Sequence, residues 1–185
     1  HDAPAAATLV AHPATPRVLV SPRLSALEVV HGFSTRLGGV SQGRYAALNL
    51  SSAWGDRPEV VEENLALFGA DLGFLPSTLC LAVQVHGNTV AVVDAPERRA
   101  RSADGLLTQG RLAVGVLTAD CVPILIADGE GRVAAVHARG PYDSLTNGDL
   151  ASSAARCSSV KPPRSTPRAA TGSRPEAAVS AVDPG

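Results

Sequence analysis

The chain has 185 residues, of which 45% are hydrophobic and 18% are charged; this composition is typical of a globular protein and excludes a disordered chain. The formal net charge of −1 provides no basic face for a phosphate backbone, so we expect no nucleic-acid partner. No apolar run approaches the roughly 20 residues that span a bilayer, and no basic segment followed by an apolar run indicates a secretory signal, so we expect no membrane partner.

The first part of the chain predicts a lead-in followed by two strands. Residues 1–16 are rich in Ala, Pro and Thr and are expected to form a loose N-terminal segment. Residues 17–20 and 27–33 are short, β-branched and apolar, which predicts a strand at each position. A glycine-rich loop at 34–43 and a polar connection at 51–57 follow.

Residues 58–70 predict an α-helix. Pro58 is tolerated in a first helical turn, and Asp56 is placed where a side chain can cap the helix. Apolar residues that share one face at helical spacing support the prediction: Val61, Leu65 and Phe68.

Five short aliphatic runs predict strands in the second part of the chain. They cover residues 79–85, 89–93, 111–117, 122–127 and 132–137. Turn residues separate them, and the Asp-Gly-Glu-Gly sequence at 128–131 is a hairpin signal. Because strands follow strands without regular βαβ alternation, we expect an α+β fold with a single mixed-sheet domain.

The composition changes abruptly after Ala138. Residues 139–185 are dominated by Ser, Pro, Arg, Ala, Thr and Gly, with almost no apolar pattern. Such a low-complexity tail cannot bury a core and is predicted to be disordered. The predicted catalytic domain therefore covers residues 17–138.

The three cysteines are too few and too odd in number for a disulfide framework. A reducing cytoplasm is the simpler interpretation, and there a thiol can serve as a metal ligand or a nucleophile. Cys80 is expected in the core, and Cys157 is interpreted as an incidental thiol in the tail.

Three residues at the ends of predicted strands could share a metal ion: His86, Cys121 and His137. Two imidazoles and one thiolate suit Zn²⁺ and leave its fourth position for water or substrate. Such an ion can lower the pKa of a bound water or polarise a leaving group. The three residues form no short-range zinc motif, however, and a His or Cys at a strand end is more often simply tolerated there.

Two further side chains are candidates for chemistry. Arg36 lies in a Gly38-Gly39 loop whose N–H groups, with the forked guanidinium, could bind phosphate or carboxylate; a surface turn with a solvated Arg is the locally favoured alternative. Asp120 could orient a ligand or act as a base, although an isolated Asp more often caps a turn. Asn49 and Asp104 are interpreted as turn formers.

Several segments occur together in an order and spacing that resemble one known family. They are TRLGGVSQGRYAALNLSSAWGDRPEVVEENLALF, QVHGNTV, SADGLLT, VLTADCVPILIAD and VAAVHA, with TADC and QVHG the most specific. They resemble the YfiH-like proteins, called multicopper polyphenol oxidase or purine nucleoside phosphorylase (laccase-domain) proteins. The resemblance covers residues 31–138.

The resemblance implies a YfiH-like α+β domain that binds Zn²⁺, or alternatively Cu²⁺. The histidine of QVHG, the cysteine of TADC and the histidine of VAAVHA match the family's metal ligands, and Arg36 matches its active-site arginine. The implied activities are phosphorolysis of purine nucleosides and methylthioadenosine, and deamination of adenosine. Copper-dependent phenol oxidation and editing of peptidoglycan precursors are also attributed to such proteins.

Among these activities we favour a zinc-dependent purine nucleoside phosphorylase whose substrates are a purine nucleoside and phosphate. Reduction of O₂ to water during phenol oxidation needs several coppers, and the five histidines of this chain are too few to serve as their ligands. In this interpretation Arg36, Asp120 and Cys121 are the catalytic residues, with Arg36 holding phosphate or a substrate oxygen.

Two alternatives stay open. One is a hydrolase of cell-wall precursors that uses Cys121 as the nucleophile and a histidine as the base. The other is a truncated, inactive metal-binding fragment, because the resemblance stops at Ala138, where family members continue. A shifted reading frame would produce a tail of this composition. The oligomeric state does not follow from the sequence.

Overall fold

The computed structural model of the chain describes residues 10–12, 15–128, 130–138 and 178–182. The strands, in chain order, are β1 (Val10–His12), β2 (Thr15–Val20), β3 (His31–Ser34), β4 (Leu79–Val83), β5 (Val90–Val92), β6 (Arg98–Ser102), β7 (Gly105–Thr108), β8 (Ala113–Thr118), β9 (Val122–Ala127), β10 (Val133–Ala138) and β11 (Ala178–Val182). The α-helices are α1 (Pro22–Ala26) and α2 (Pro58–Leu72), and 3₁₀ turns lie at Gly43–Tyr45 and Pro76–Thr78. Neither α-helix is long and apolar enough to cross a membrane.

Within the described residues, seven strands form the larger sheet, in the order β1-β2-β3-β11-β8-β4-β6. In this spatial order, the five strands β3, β11, β8, β4 and β6 are mutually parallel. Strand β2 pairs antiparallel with both β1 and β3. The carboxyl ends of β3, β8 and β4 therefore lie at one edge of this sheet. Neighbouring strands are about 4.8 Å apart, so the segments that leave these three strands start close to one another.

In the part of the chain that the structure describes, four strands form the smaller sheet, in the order β5-β7-β10-β9. β5 and β7 are parallel, whereas β10 is antiparallel to both of its neighbours. The β9–β10 pair runs without interruption from Val133↔Ala127 to Ala138↔Val122. The hairpin predicted at 128–131 is therefore confirmed, and the carboxylate of Asp128 stabilises it by accepting hydrogen bonds from the N–H groups of Glu130 and Arg132.

Apolar side chains pack on both faces of the larger sheet. On the face covered by α2, the helix residues Leu65 and Phe68 join a cluster that includes Ala113 of β8. The next residue of the same strand, Val114, belongs to a second cluster that contains Leu106 of the smaller sheet. Because successive residues of a strand point to opposite faces, β8 separates these two clusters. The two sheets thus pack face to face on the side away from α2.

The predicted helix is confirmed, but its predicted cap is wrong. The N-cap residue is Arg57, without a side-chain cap. Asp56 instead turns its Oδ2 to the hydroxyl of Ser41 and the amide of Asn49. The helix ends at Leu72, and the C-cap residue is Gly73, whose φ of 83° is the left-handed conformation that glycine adopts most easily.

The strand predictions are confirmed in outline and wrong in several places. Residues 10–12, inside the segment expected to be a loose lead-in, form β1, and β2 already begins at Thr15. Residues 27–30 precede β3 rather than belonging to it, and α1 was not predicted. Neither β6 nor β7 was predicted, because β6 is a charged edge strand and β7 has only four residues. Residues 178–182, inside the segment for which we predict disorder, form β11; their Ala-Val-Ser-Ala-Val sequence is short and β-compatible. The remainder of 139–185 lies outside the described residues, and the boundaries of the catalytic domain stay a prediction.

Candidate metal centre

His86 is held in place through its backbone. It follows β4 in a turn and has a φ of 58°, a conformation that non-glycine residues rarely adopt. The carboxylate of Asp104 accepts hydrogen bonds from the N–H groups of His86 (2.9 Å), Gly87 (2.8 Å) and Val85 (3.3 Å). One buried carboxylate therefore stabilises the whole turn in this otherwise unfavourable conformation.

His137 is oriented by the same carboxylate. It lies in β10, is 5% exposed, and its Nδ1 is 2.9 Å from Oδ1 of Asp104. Its backbone N–H also donates to the carbonyl of Asp104 at 2.7 Å. Since a carboxylate only accepts, Nδ1 carries the proton, and Nε2 is the nitrogen with a lone pair for a metal.

Cys121 completes the group from the turn between β8 and β9. Its Sγ lies 3.8 Å from Nε2 of His86, and the rings of His86 and His137 are 4.9 Å apart between centroids. One potential ligand atom from each of the three residues lies within 4.8 Å of the other two. The structure thus brings together three residues that are distant in the sequence.

These distances suit a single metal ion. Zinc bonds of about 2.3 Å to sulfur and about 2.0 Å to nitrogen, at tetrahedral angles, place nitrogen and sulfur about 3.5 Å apart. The observed 3.8 Å between His86 and Cys121 is close to this value. Imidazole and thiolate are also donors that copper accepts, so the donor set fits a transition metal without selecting zinc alone.

The electrostatics of Asp104 and His137 favour a histidine in the protonation state that binds metal. Burial lowers the pKa of His137 below its usual 6.5, and nearby His86 lowers it further, against the opposing effect of Asp104. Burial alone would raise the pKa of Asp104, but hydrogen bonds from Gly87, His137 and His86 outweigh it and hold that pKa below 3.8. At neutral pH the pair is therefore a carboxylate and a neutral imidazole, which is the form that binds metal.

The interpretation of Asp104 as a plain turn former is wrong. It is 2% exposed and links the turn of His86 to the ring of His137. The sequence signal was the Ser-Ala-Asp-Gly motif, whose Asp-Gly pair resembles an ordinary turn. Asn49 is likewise 1% exposed, and its amide donates to Ser51 and Asp56.

Arg36 and Asp120 lie on segments at the same edge of the larger sheet. Arg36 follows β3, and its Nε and Nη2 donate to the carbonyl of Ala46 at 3.3 and 2.7 Å, within its own loop. Asp120 is exposed in the turn directly before Cys121.

The glycines of the Arg36 loop have a packing role. A Cβ on Gly39 would lie 2.2 Å from the carbonyl oxygen of Ala47, so no side chain fits there. The N–H groups of Val40 and Ser41 donate to Asn64 Oδ1 and to the Ala47 carbonyl, respectively. Those two groups are therefore committed inside the protein rather than presented to an anion, which differs from the predicted anion-binding loop.

The fold and this cluster define a mixed-sheet α+β protein with a two-histidine, one-cysteine centre. The chain belongs to the family described as multi-copper polyphenol oxidoreductase laccase, whose family model matches residues 30–155. This membership confirms the resemblance to the YfiH-like proteins, although the match extends to residue 155 rather than stopping at Ala138 as expected.

Curated relatives carry a more specific name. A purine nucleoside phosphorylase of Streptomyces coelicolor is 48% identical over 114 residues, covering 60% of this chain and 47% of the relative. One of Corynebacterium glutamicum is 43% identical over 111 residues, covering 57% and 45%. The chain thus spans about half the length of the curated relatives it matches.

Two solved structures share the fold. YlmD of Geobacillus stearothermophilus matches with a TM-score of 0.56 and 26% identity, covering 75% of this chain and 52% of that one. A hypothetical protein, YfiH, of Bacillus licheniformis matches with a TM-score of 0.61 and 24% identity, covering 67% and 50%. These matches confirm the predicted fold class.

Proposed function

We propose that the chain acts as a zinc-dependent purine nucleoside phosphorylase, with a purine nucleoside and inorganic phosphate as its substrates. The observation that carries the proposal is the convergence of His86, Cys121 and His137, with ligand atoms within 4.8 Å of one another. The names of the curated relatives support the choice of reaction.

The reaction transfers the ribosyl group from purine to phosphate. A phosphate oxygen forms a bond to C1′ of the ribose, the bond from C1′ to the purine nitrogen breaks, and the purine leaves with a proton. A bound Zn²⁺ would supply a Lewis acid that polarises a substrate oxygen or activates water. The products are ribose 1-phosphate and the free base.

The chain's own residues would bind and orient the reactants. Two of the five N–H donors of Arg36 are used at the Ala46 carbonyl, and the others are available for a phosphate oxygen. Asp120, which is exposed beside Cys121, would exchange a proton with the purine. Asp104 holds the proton on Nδ1 of His137 and so keeps Nε2 unprotonated.

We extend the proposal to two related reactions at the same site. Methylthioadenosine would undergo the same phosphorolysis, because the bonds that form and break are the same. Deamination of adenosine replaces phosphate by water, which adds at C6 of the purine and displaces ammonia to give inosine.

The test combines elemental analysis of the purified chain with product assays. Inosine and adenosine are supplied with and without phosphate, and free base, ribose 1-phosphate and ammonia are measured. We expect about one zinc per chain and phosphate-dependent release of base. Cys121→Ser should lose both, whereas Cys80→Ala, which removes a buried thiol outside the cluster, should keep the metal. Metal binding without any product would leave an inactive metal-binding fragment, and absence of both would contradict the proposal.

A second candidate function rests on the 3.8 Å separation of Cys121 Sγ and His86 Nε2. A thiol beside an imidazole can act as a nucleophile, as a hydrolase of peptidoglycan precursors would require. Alkylation by iodoacetamide separates the two roles. A nucleophile reacts with or without zinc, whereas a ligand is protected when zinc is added and exposed again by a chelator.

A further inference from the structure

A side-chain amide bridges β4 and β8 where their backbones no longer pair. The two strands pair at Leu79↔Ala113 and Cys80↔Val114. Further along, Nε2 of Gln84 donates to the carbonyl of Leu117 at 2.7 Å, and Oε1 of Gln84 accepts from the N–H of Leu117 at 2.8 Å. The amide thus makes both hydrogen bonds that a neighbouring strand would otherwise make to Leu117.

The bridge joins the two segments that carry His86 and Cys121. Gln84 lies two positions before His86, and Leu117 lies four positions before Cys121. On its other side, the turn of His86 is tied through Asp104 to the ring of His137. Two side chains, Gln84 and Asp104, therefore link the three members of the cluster.

We propose that Gln84 is a positioning residue for the metal centre, which sets the separation of His86 Nε2 and Cys121 Sγ. The inference rests on the metal-binding part of the proposed function and concerns this chain's own residues. The position requires one planar group with both a donor and an acceptor. Glutamate retains the length but has no N–H for the Leu117 carbonyl, and leucine retains neither bond.

The test measures metal binding rather than turnover. Gln84→Leu and the more conservative Gln84→Glu are compared with Gln109→Leu, a matched control. Gln109 is exposed, and its amide makes a single 3.4 Å hydrogen bond to the carbonyl of Glu130. Affinity for Zn²⁺ is obtained by chelator competition, coordination by the sulfur-to-metal charge-transfer band of the Co²⁺ form, and folding by circular dichroism and urea unfolding.

We expect Gln84→Leu to bind Zn²⁺ about 10- to 100-fold more weakly and to lose charge-transfer intensity, because the thiolate is no longer held at bonding distance from the metal. Gln84→Glu, which retains one of the two bonds, should fall between it and the wild type, and Gln109→Leu should match the wild type.

Wild-type affinity and an unchanged Co²⁺ spectrum in both Gln84 variants would overturn the inference while leaving the proposed function intact. Gln84 variants that lose stability but keep an unchanged Co²⁺ spectrum would also overturn the inference. A wild-type chain that binds neither ion would overturn both. If Gln84→Leu does not fold, the comparison of Gln84→Glu with the wild type decides.

Discussion

Replacing Asp104 by asparagine tests the link between the histidine pair and the fold. The carboxylate accepts four hydrogen bonds: from His137 Nδ1 and His86 N at Oδ1, and from Gly87 N and Val85 N at Oδ2. An asparagine of the same shape has one oxygen, so its amino group must face one of these two pairs of donors.

The cost of Asp104→Asn follows from the bonds that are lost. With the oxygen facing the histidines, the losses are the 2.8 Å bond from Gly87 and the longer 3.3 Å bond from Val85. A hydrogen bond to a charged group contributes about 1.5–3 kcal/mol, so one normal and one long bond amount to about 3 kcal/mol. Because the site is 2% exposed, water does not replace them. We expect the free energy of unfolding of the metal-free protein to fall by about this amount.

The assay is urea unfolding with a chelator present, followed by zinc affinity from chelator competition. Zinc binding should weaken about 10- to 100-fold, because the support of both histidines is altered. Asp94→Asn, at an exposed position, is the control and should change stability by less than about 0.5 kcal/mol. An Asp104→Asn protein that matches the wild type in both stability and zinc affinity would refute the reasoning.

Four further outcomes are expected. Asn64→Leu, at a position that is 0% exposed, should lower the free energy of unfolding by about 3 kcal/mol, because the Val40 N–H and the Asn49 carbonyl lose their hydrogen-bond partner. Chemical denaturation measures this loss. Gly39→Ala should cost about 1–3 kcal/mol through the clash with the adjacent loop, whereas Gly110→Ala, with open space around its Cβ, should cost little in the same measurement. Burial raises the pKa of Asp56, but its hydrogen bonds outweigh this effect and hold the pKa below 3.8. The resulting stabilisation is present above pH 3.8 and is lost as the pH falls through the lowered pKa. Asp56→Asn should therefore flatten the acid limb of a curve of unfolding free energy against pH. Zinc at about 100 times its dissociation constant should stabilise the wild type by about 2.7 kcal/mol in thermal unfolding and leave Cys121→Ser unchanged.

Local patterns in the sequence were sufficient to predict α2, most strands of the second half and the hairpin after β9. Each of these depends on short-range periodicity or turn chemistry. The same signals fail for β6, whose Arg98–Ser102 sequence is charged. Strand β11 was missed for another reason, since its five residues lie in a segment of non-core composition.

The candidate site shows the same division between local and distant information. The two histidines and Cys121 were found because each lies at or near a strand end and belongs to a matched motif. The role of Asp104 was missed because the hydrogen bond between its carboxylate and the ring of His137 joins positions 33 residues apart. The sequence offers the Gly38-Gly39 loop as a candidate anion site beside the locally favoured surface turn, because it does not reveal that Gly39 packs directly on Ala47.

The β9–β10 ladder makes the metal centre sensitive to deletions. Cys121 directly precedes β9, and His137 lies opposite Pro123 in an unbroken antiparallel ladder. Because side chains alternate along a strand, removing one residue from β10 before His137 would turn that ring to the opposite face of the sheet. An insertion at Glu130, which is exposed in the turn, would leave the pairing unchanged. A change of loop length at the hairpin tip therefore leaves the orientation of His137 intact, whereas a change in the number of residues from Val133 to His137 does not.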